Sequence, residues 1–546
     1  MKPQTIFLTH TLLASIPALA LPADSGSKSP EKSTITWKPC ELDLNYLGVA
    51  KGQKAFECTR LTVPLDYTDE SNGDIKLDLI RVKASKKPSK GSILYNPGGP
   101  GGSGVDQIAT LGQRFLDFTG GHYDIIGFDP RGTGRTIPFT CNTTGLGPLA
   151  RRDVSLPETD IWDFLKEDYW KKEAKRAEAC YRDQKKYGPY VGTTFVARDM
   201  LSIVDALGQG DKLNYWGVSY GTILGQVFIS MFPDRVGRIV LDSSLSADAY
   251  ATGSWLGSNS DAEKALGNFF DECVKGGPEY CSLANSTGKD TTGRDLLKVF
   301  DDAMDGLVGK TEPEEFGGGN MTISFVKQRL VSSLMGQFDM GIQIVEAALK
   351  GNWTAAVLGP GSPVSTNRSA IWNKATHAQE GISCIDSSFR TQDAEDYYAN
   401  YRAHISQGSL SDTTLYQGLI CSQWKFSTAE KVDTNKLRNI KTSSPVLLLN
   451  GIYDPVTPLS DAWEVSARLR GSRLIIHEGA GHGAITQPSN CTEEAVGRYF
   501  TDGDLPKSGT VCKPDLPFFE SWEQQMKRFS EIAAEAAKNN GDGGDE

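Results

Sequence analysis

Ser219, Asp454 and His482 are, by type and setting, the residues of this chain that could carry out acyl transfer, although long stretches of sequence separate them. Ser219 stands in Gly217-Val218-Ser219-Tyr220-Gly221, behind the apolar run Leu213–Trp216 and ahead of the helix-like Thr222–Met231. A strand turning sharply into a helix projects the serine oxygen above a sheet, and glycines two residues to either side keep Cβ atoms from colliding there. A serine hydroxyl is a poor nucleophile at neutral pH and needs a base. Of the histidines, His482 sits in a small-residue loop, Glu478-Gly479-Ala480-Gly481-His482-Gly483, just after the strand-like Arg473–His477. His122, His377 and His404 lack that setting, and His477 falls within the strand as a structural residue.

The imidazole needs a carboxylate to orient it and to stabilise its charged form. Asp454 follows the apolar Leu447-Leu448-Leu449 and opens the turn Asp454-Pro455-Val456-Thr457-Pro458; Asp461, further along in a helix-like stretch, is its rival. The chain order Ser219, Asp454, His482 is that of α/β-hydrolases. The oxyanion formed on attack needs two preset N–H donors. Tyr220 supplies one, directly after the serine. The other is expected from Asn96-Pro97-Gly98-Gly99-Pro100-Gly101-Gly102-Ser103-Gly104, with Gly99 as first choice and Gly98 as second. A phosphate cradle is the other use of such a run, but the Gly-Lys-[Ser/Thr] ending of a P-loop is missing.

The elements that must hold these residues alternate in type. Strand-like segments at Thr59–Pro64, Lys76–Lys83, Gly91–Tyr95, Tyr123–Phe128, Lys212–Trp216 and Arg238–Asp242 precede a long change of texture. Helical periodicity marks Thr194–Leu207. From 246 to 425 the chain is helix-rich, and the strand rhythm returns at Pro445–Asn450 and Arg473–His477. This predicts an α/β-hydrolase fold, a mostly parallel sheet covered on both faces, with an inserted, largely helical cap. The core would comprise 35–245 and 426–515, the cap 246–425, and 516–546 a C-terminal helix and disordered tail. In that last segment Phe519, Trp522, Met526, Phe529 and Ala533 share a helical face expected to pack on the body.

The net charge of −11 gives no electrostatic reason to bind nucleic acid or an anionic membrane. Acid is concentrated between 246 and 316, with 14 Asp/Glu against 6 Lys/Arg, and reads first as a solvated helical surface. Lys2, the apolar stretch Ile6–Leu21 and Ala18-Leu19-Ala20 form a secretory signal-peptide pattern over 1–20, followed by a polar leader over 21–34. Ten cysteines and no C-x-x-C pair fit an oxidising compartment. Many pairings are open to ten cysteines; local spacing suggests Cys40–Cys58, Cys141–Cys180, Cys273–Cys281, Cys384–Cys421 and Cys491–Cys512. Six N-x-[ST] sequons, at Asn142, Asn285, Asn320, Asn352, Asn367 and Asn490, complete the expectation of a secreted, extracellular glycoprotein.

Three stretches together resemble a known family. The Gly-Gly-Pro-Gly-Gly core at 98–102, Gly127-Phe128-Asp129-Pro130-Arg131-Gly132-Thr133-Gly134 and Gly217–Gly221 are similar to the proline iminopeptidase family, above all its secreted tripeptidyl-aminopeptidase branch. The Asp-x-x-Thr-Pro segment at Asp454–Pro458 belongs to the same resemblance, which covers about 35 to 515. It implies a serine exopeptidase that releases short peptides (tripeptides) or single residues from a free N-terminus through an acyl-serine. It implies no metal and no organic cofactor, and a monomer is expected. Cap carboxylates hold the substrate ammonium in such enzymes, and the candidates here are Glu380 and Asp386. Arg131 is expected to anchor structure rather than to react. A carboxylesterase or lipase on the same scaffold is the alternative, because its triad would be identical; a non-catalytic binding protein is disfavoured by the intact triad and glycine loop.

Overall fold

The computed structural model describes residues 35–40, 56–143, 162–316, 318–359 and 375–520, with 524 and 527 singly. The signal-peptide and leader segments, Asn367 and nearly all of the C-terminal helix lie outside the described residues.

Among the described residues ten strands form one sheet: β1 Lys38–Pro39, β2 Phe56–Pro64, β3 Asp74–Val82, β4 Ser92–Asn96, β5 Asp124–Phe128, β6 Leu213–Val218, β7 Val236–Asp242, β8 Leu447–Tyr453, β9 Arg473–Ala480 and β10 Val511–Cys512. Their order is β1-β2-β3-β5-β4-β6-β7-β8-β9-β10. The pairs from β5 to β10 are parallel, and the β1–β2, β2–β3 and β3–β5 pairs antiparallel. Parallel strands need crossovers, and here helices supply them on both faces.

Alternation along the strands builds two cores. Tyr215, Ile239, Leu241 and Leu448 point to one face, under helices Thr193–Leu207 and Tyr220–Met231, where Met200, Ile203, Leu224 and Phe228 meet them. Trp216, Val240, Leu447 and Ile475 point to the other, under helices Gly104–Phe118 and Asn490–Asp502. A third apolar cluster belongs to the helices between β7 and β8: Ala262–Gly276, Gly293–Asp305, Gly319–Leu334 and Phe338–Leu349 contribute Phe269, Phe300, Leu330 and Phe338. Phe518 stacks on Phe338 at 3.7 Å, and Phe519 lies beside both, so the start of the C-terminal segment packs on these helices. Trp162 and Leu165, from a segment preceding β6, share a cluster with Tyr397, Tyr401, Leu415 and Leu419. That segment therefore joins the helices found after β7, a long-range packing that no local pattern signals.

All five disulfides form as spacing suggested: Cys40–Cys58, Cys141–Cys180, Cys273–Cys281, Cys384–Cys421 and Cys491–Cys512. The last ties helix Asn490–Asp502 to β10, a two-residue strand too short to leave a pattern in the sequence. Arg131 is fully buried and pairs with Asp199 at 2.7 and 2.8 Å while capping the carbonyls of Pro64 and Leu65. It anchors the edge of the sheet.

His477 is buried in β9, its Nε2–H donating to Gln487 O at 2.9 Å and its Nδ1 facing the Thr492 hydroxyl at 3.1 Å. Burial holds its pKa down to about 4 from an ordinary 6.5. Between those values the unfolded chain takes up a proton that the native state refuses. Native stability therefore falls as pH drops from 6.5 towards 4, by roughly 3 kcal/mol from this residue. In thermal melts across that range, His477→Gln is expected to lose less stability on acidification than the parent; parallel curves would contradict the assignment.

Candidate active site

Ser219 adopts φ 59° and ψ −125° between β6 and helix Tyr220–Met231. Only a few non-glycine residues take up positive φ, and such strain persists where surroundings enforce it. The enforcement is a close backbone crossing. A Cβ on Gly217 would lie 2.3 Å from Gly221 O, and one on Gly221 would lie 2.7 Å from Asn96 O. The Ser219 N–H is held by Asp242 O at 3.0 Å, on the neighbouring strand β7.

The glycine loop after β4 lies directly on this turn. Gly98, at φ 94°, comes so near that a Cβ would stand 2.7 Å from Ser219 Cβ and 3.1 Å from Tyr220 N. Its own N–H is donated to Asn96 Oδ1 at 3.0 Å. Gly99 and Tyr220 N–H groups have no acceptor among the described residues. The two free donors are thus the first-choice pair, with Gly98 serving as the packing surface between them.

Asp454 and His482 meet at the ends of β8 and β9. His482 Nδ1 lies 2.8 and 3.0 Å from the two Asp454 oxygens, and Asp454 Oδ1 also accepts the N–H groups of Val456 and Thr457 at 3.0 and 2.9 Å. Burial alone would raise the Asp454 pKa, but His482, Thr457 and the Val456 N–H outweigh it and hold the carboxyl below its usual value. Burial would likewise lower the His482 pKa; the charges of Asp454 and Asp242 and the Asp454 hydrogen bond reverse this and raise it above 6.5. The Nδ1 proton is committed to Asp454, and Nε2 is buried with no partner among the described residues. Asp461, the rival, is bonded instead to Ser246 N–H at 3.0 Å.

The loop bearing His482 abuts the Ser219 turn. Gly483 is within 3.4 Å of Val218 Cγ1, measured from the position a Cβ would take, and Ala484 N–H is donated to Asp242. Met335 O accepts the His482 backbone N–H at 3.1 Å, so a carbonyl between two of the inserted helices holds the loop that carries the imidazole. Thr457 Oγ1, 3.3 Å from His482 Nδ1, is a further neighbour. Thr457 stands in the Asp-x-x-Thr-Pro segment, where the sequence gives it no role of its own, and Asp242 and Met335 carry no local signal at all.

Helix Ala378–Asp386 carries both cap carboxylates and starts against the glycine loop, where a Cβ on Gly101 would stand 2.7 Å from Ala378 Cβ. Glu380 is 22% exposed and ion-paired with Arg176 at 3.3 Å. Asp386 is buried elsewhere, accepting Thr193 N–H at 3.0 Å, the Thr193 hydroxyl and Tyr250 OH at 2.8 Å. Thr193 Oγ1 in turn lies 2.7 Å from Tyr220 OH, so Asp386 braces the residue after Ser219 from below. Burial pushes its pKa up to about 6 despite those donors.

A sheet of this order, with a serine on the strained turn after β6 and an Asp–His pair at the ends of β8 and β9, defines a serine hydrolase of the α/β-hydrolase fold. Residues 91–271 match a family model described as alpha/beta hydrolase fold, and residues 408–512 one described as TAP-like protein. These matches place the chain among serine hydrolases of the α/β-hydrolase fold, with a C-terminal part similar to TAP-like proteins. It is 28% identical over 510 residues to the tripeptidyl aminopeptidase of Streptomyces coelicolor, covering 88% of this chain and 86% of that one. It is 26% identical over 506 residues to the serine protease Hip1 of Mycobacterium tuberculosis, covering 88% and 91%. Carboxylesterase B of the same organism is 24% identical over 535 residues, covering 92% and 96%.

If the imidazole serves as a base, it must be neutral to work. Its raised pKa then places the acid limb of kcat/KM above pH 6.5, with activity climbing as pH rises through it. Asp454→Asn is expected to lower kcat on the order of 10⁴-fold in a protein that still melts cooperatively. A loss of less than tenfold would remove Asp454 from its assigned role.

Proposed function

We propose that this protein is a serine exopeptidase that releases short peptides, tripeptides among them, from free N-termini by way of an acyl-enzyme on Ser219. In acylation the Ser219 proton passes to His482 Nε2 as Oγ bonds to the scissile carbonyl carbon, and the carbonyl electron pair moves onto oxygen. Tyr220 and Gly99 N–H groups receive that oxyanion. The C–N bond then breaks, His482 gives its proton to the departing amine, and a water activated by the same imidazole hydrolyses the ester. The serine-peptidase reading is supported by the tripeptidyl aminopeptidase and serine protease among its relatives.

The observation that carries the exopeptidase reading is the seating of helix Ala378–Asp386 on the glycine loop at Gly101. It brings a carboxylate of the inserted segment, the proposed cap over 246–425, within one helical turn of the loop that would hold the oxyanion. A substrate ammonium leaving water must be paired. Of the two carboxylates, Glu380 keeps a solvent-facing side, whereas the Asp386 oxygens are occupied by Thr193 and Tyr250. Glu380 is therefore the proposed ammonium partner, and Asp386 the brace beneath it.

An extracellular site of action belongs to the same reading. Five disulfides support it, since such bonds persist in oxidising compartments. Among the described residues no helix is long and apolar enough to cross a membrane.

A peptide and its N-acetylated twin, incubated with the enzyme and read by mass, separate the possibilities. Release of a short N-terminal fragment from the free peptide alone is expected, with Glu380→Gln raising KM for it roughly tenfold. Equal cleavage of both peptides, or turnover of simple esters without peptide turnover, would overturn the exopeptidase reading in favour of a carboxylesterase.

A further inference from the structure

Asp242 ends β7 and is fully buried, yet among the described residues it has no lysine or arginine partner. Its backbone carbonyl holds the Ser219 N–H at 3.0 Å. Its carboxylate accepts the Ala484 N–H, at 3.1 Å to Oδ1 and 3.2 Å to Oδ2, and the Trp216 indole N–H at 3.3 Å. The next residue, Ser243, accepts the Gly483 N–H on its hydroxyl at 2.8 Å. Two consecutive N–H groups following His482 are thus fixed to the end of β7, and the same residue that fixes one of them also fixes Ser219.

A buried carboxylate without a cation is costly, and three donor contacts offset only part of that cost. The ionisable groups facing it are His482, Asp454 and the Tyr95 hydroxyl. His482 is the only one of these able to become positive. An asparagine in the same place would offer one acceptor oxygen where aspartate offers two, and would turn an N–H toward either the indole or the Ala484 donor.

We propose that Asp242 is a positioning residue for His482. It holds the imidazole-bearing loop against the Ser219 turn, and its negative charge favours the imidazolium that forms when His482 takes up the Ser219 proton. The proposal rests on His482 acting as the base at Ser219. Asp454 remains the direct partner of Nδ1; Asp242 acts through the loop and through space.

The test compares the parent enzyme with Asp242→Asn and Trp216→Phe on a peptide with a free N-terminus and a chromogenic leaving group. Asp242→Asn is expected to lower kcat on the order of ten- to a hundredfold with KM within about twofold. The acid limb of kcat/KM should move to lower pH, because a negative neighbour of the imidazole is gone. Trp216→Phe deletes one donor to the carboxylate and so reduces its ionised fraction. The limb should move in the same direction by a smaller step, which keeps the proposal testable should Asp242→Asn fail to fold. Unmoved acid limbs in the folded variants, or a loss confined to KM, would overturn it. His482→Ala is measured alongside. Full turnover by that variant would sink the reading of His482 as base, independently of what the Asp242 variants do.

Discussion

Ser219 sits where its backbone would not go unaided, and the agent that holds it there is the near-contact between β6, the following helix and the end of β4. With Gly217 facing Gly221 O at 2.3 Å and Gly221 facing Asn96 O at 2.7 Å, measured from where a Cβ would be, no side chain fits at either place. The crossing fixes three things together. It points the serine away from the sheet, leaves the Tyr220 N–H at a helix start without an intrahelical acceptor, and brings the Gly98–Gly99 backbone onto the same spot. The parallel sheet makes the crossing possible by putting β4, β6 and β7 side by side, with Asn96 level with Gly217 and Asp242 level with Val218.

Four aspartates around this centre, Asp242, Asp386, Asp454 and Asp461, are buried without a lysine or arginine among the described residues. The same desolvation acts on each, and the outcome depends on what faces the carboxyl. Burial pushes Asp242 and Asp461 up to about 7 and Asp386 up to about 6, because backbone N–H and hydroxyl donors only partly offset it. Asp454 goes the other way, held low by an imidazole in direct hydrogen bond as well as by two backbone N–H groups. Asp454 is therefore the carboxylate whose ionised form this site favours most, and that difference separates it from its neighbours more sharply than distance along the chain does.

The helices inserted between β7 and β8 are not an independent roof. Met335 O takes the His482 N–H, Ala378 packs on Gly101, and Asp386 reaches Tyr220 through Thr193. Each of these contacts ends on a different part of the centre: the imidazole loop, the glycine loop and the residue after Ser219. A shift of these helices would thus be felt at all three.

The sequence by itself determined the parts whose physics is local. Glycines around Ser219 and at 98–102, the turn at Asp454 and the small-residue loop at His482 each serve a backbone need within a few residues, so type and spacing reveal them. Strand and helix periodicity likewise revealed the alternation of the sheet, and cysteine spacing suggested, among many possible pairings, the five bridges that form. Tertiary structure alone decided which N–H groups remain free: Asn96 takes the Gly98 donor, and the Gly99 N–H, already first choice by sequence, keeps no acceptor among the described residues. It alone separated Glu380, partly open to solvent, from Asp386, enclosed by Thr193 and Tyr250, although both stand on one helix, six positions apart. It alone made Asp242 a neighbour of both Ser219 and His482. Those outcomes depend on desolvation and on donors drawn from distant segments, and neither quantity exists until the chain has folded.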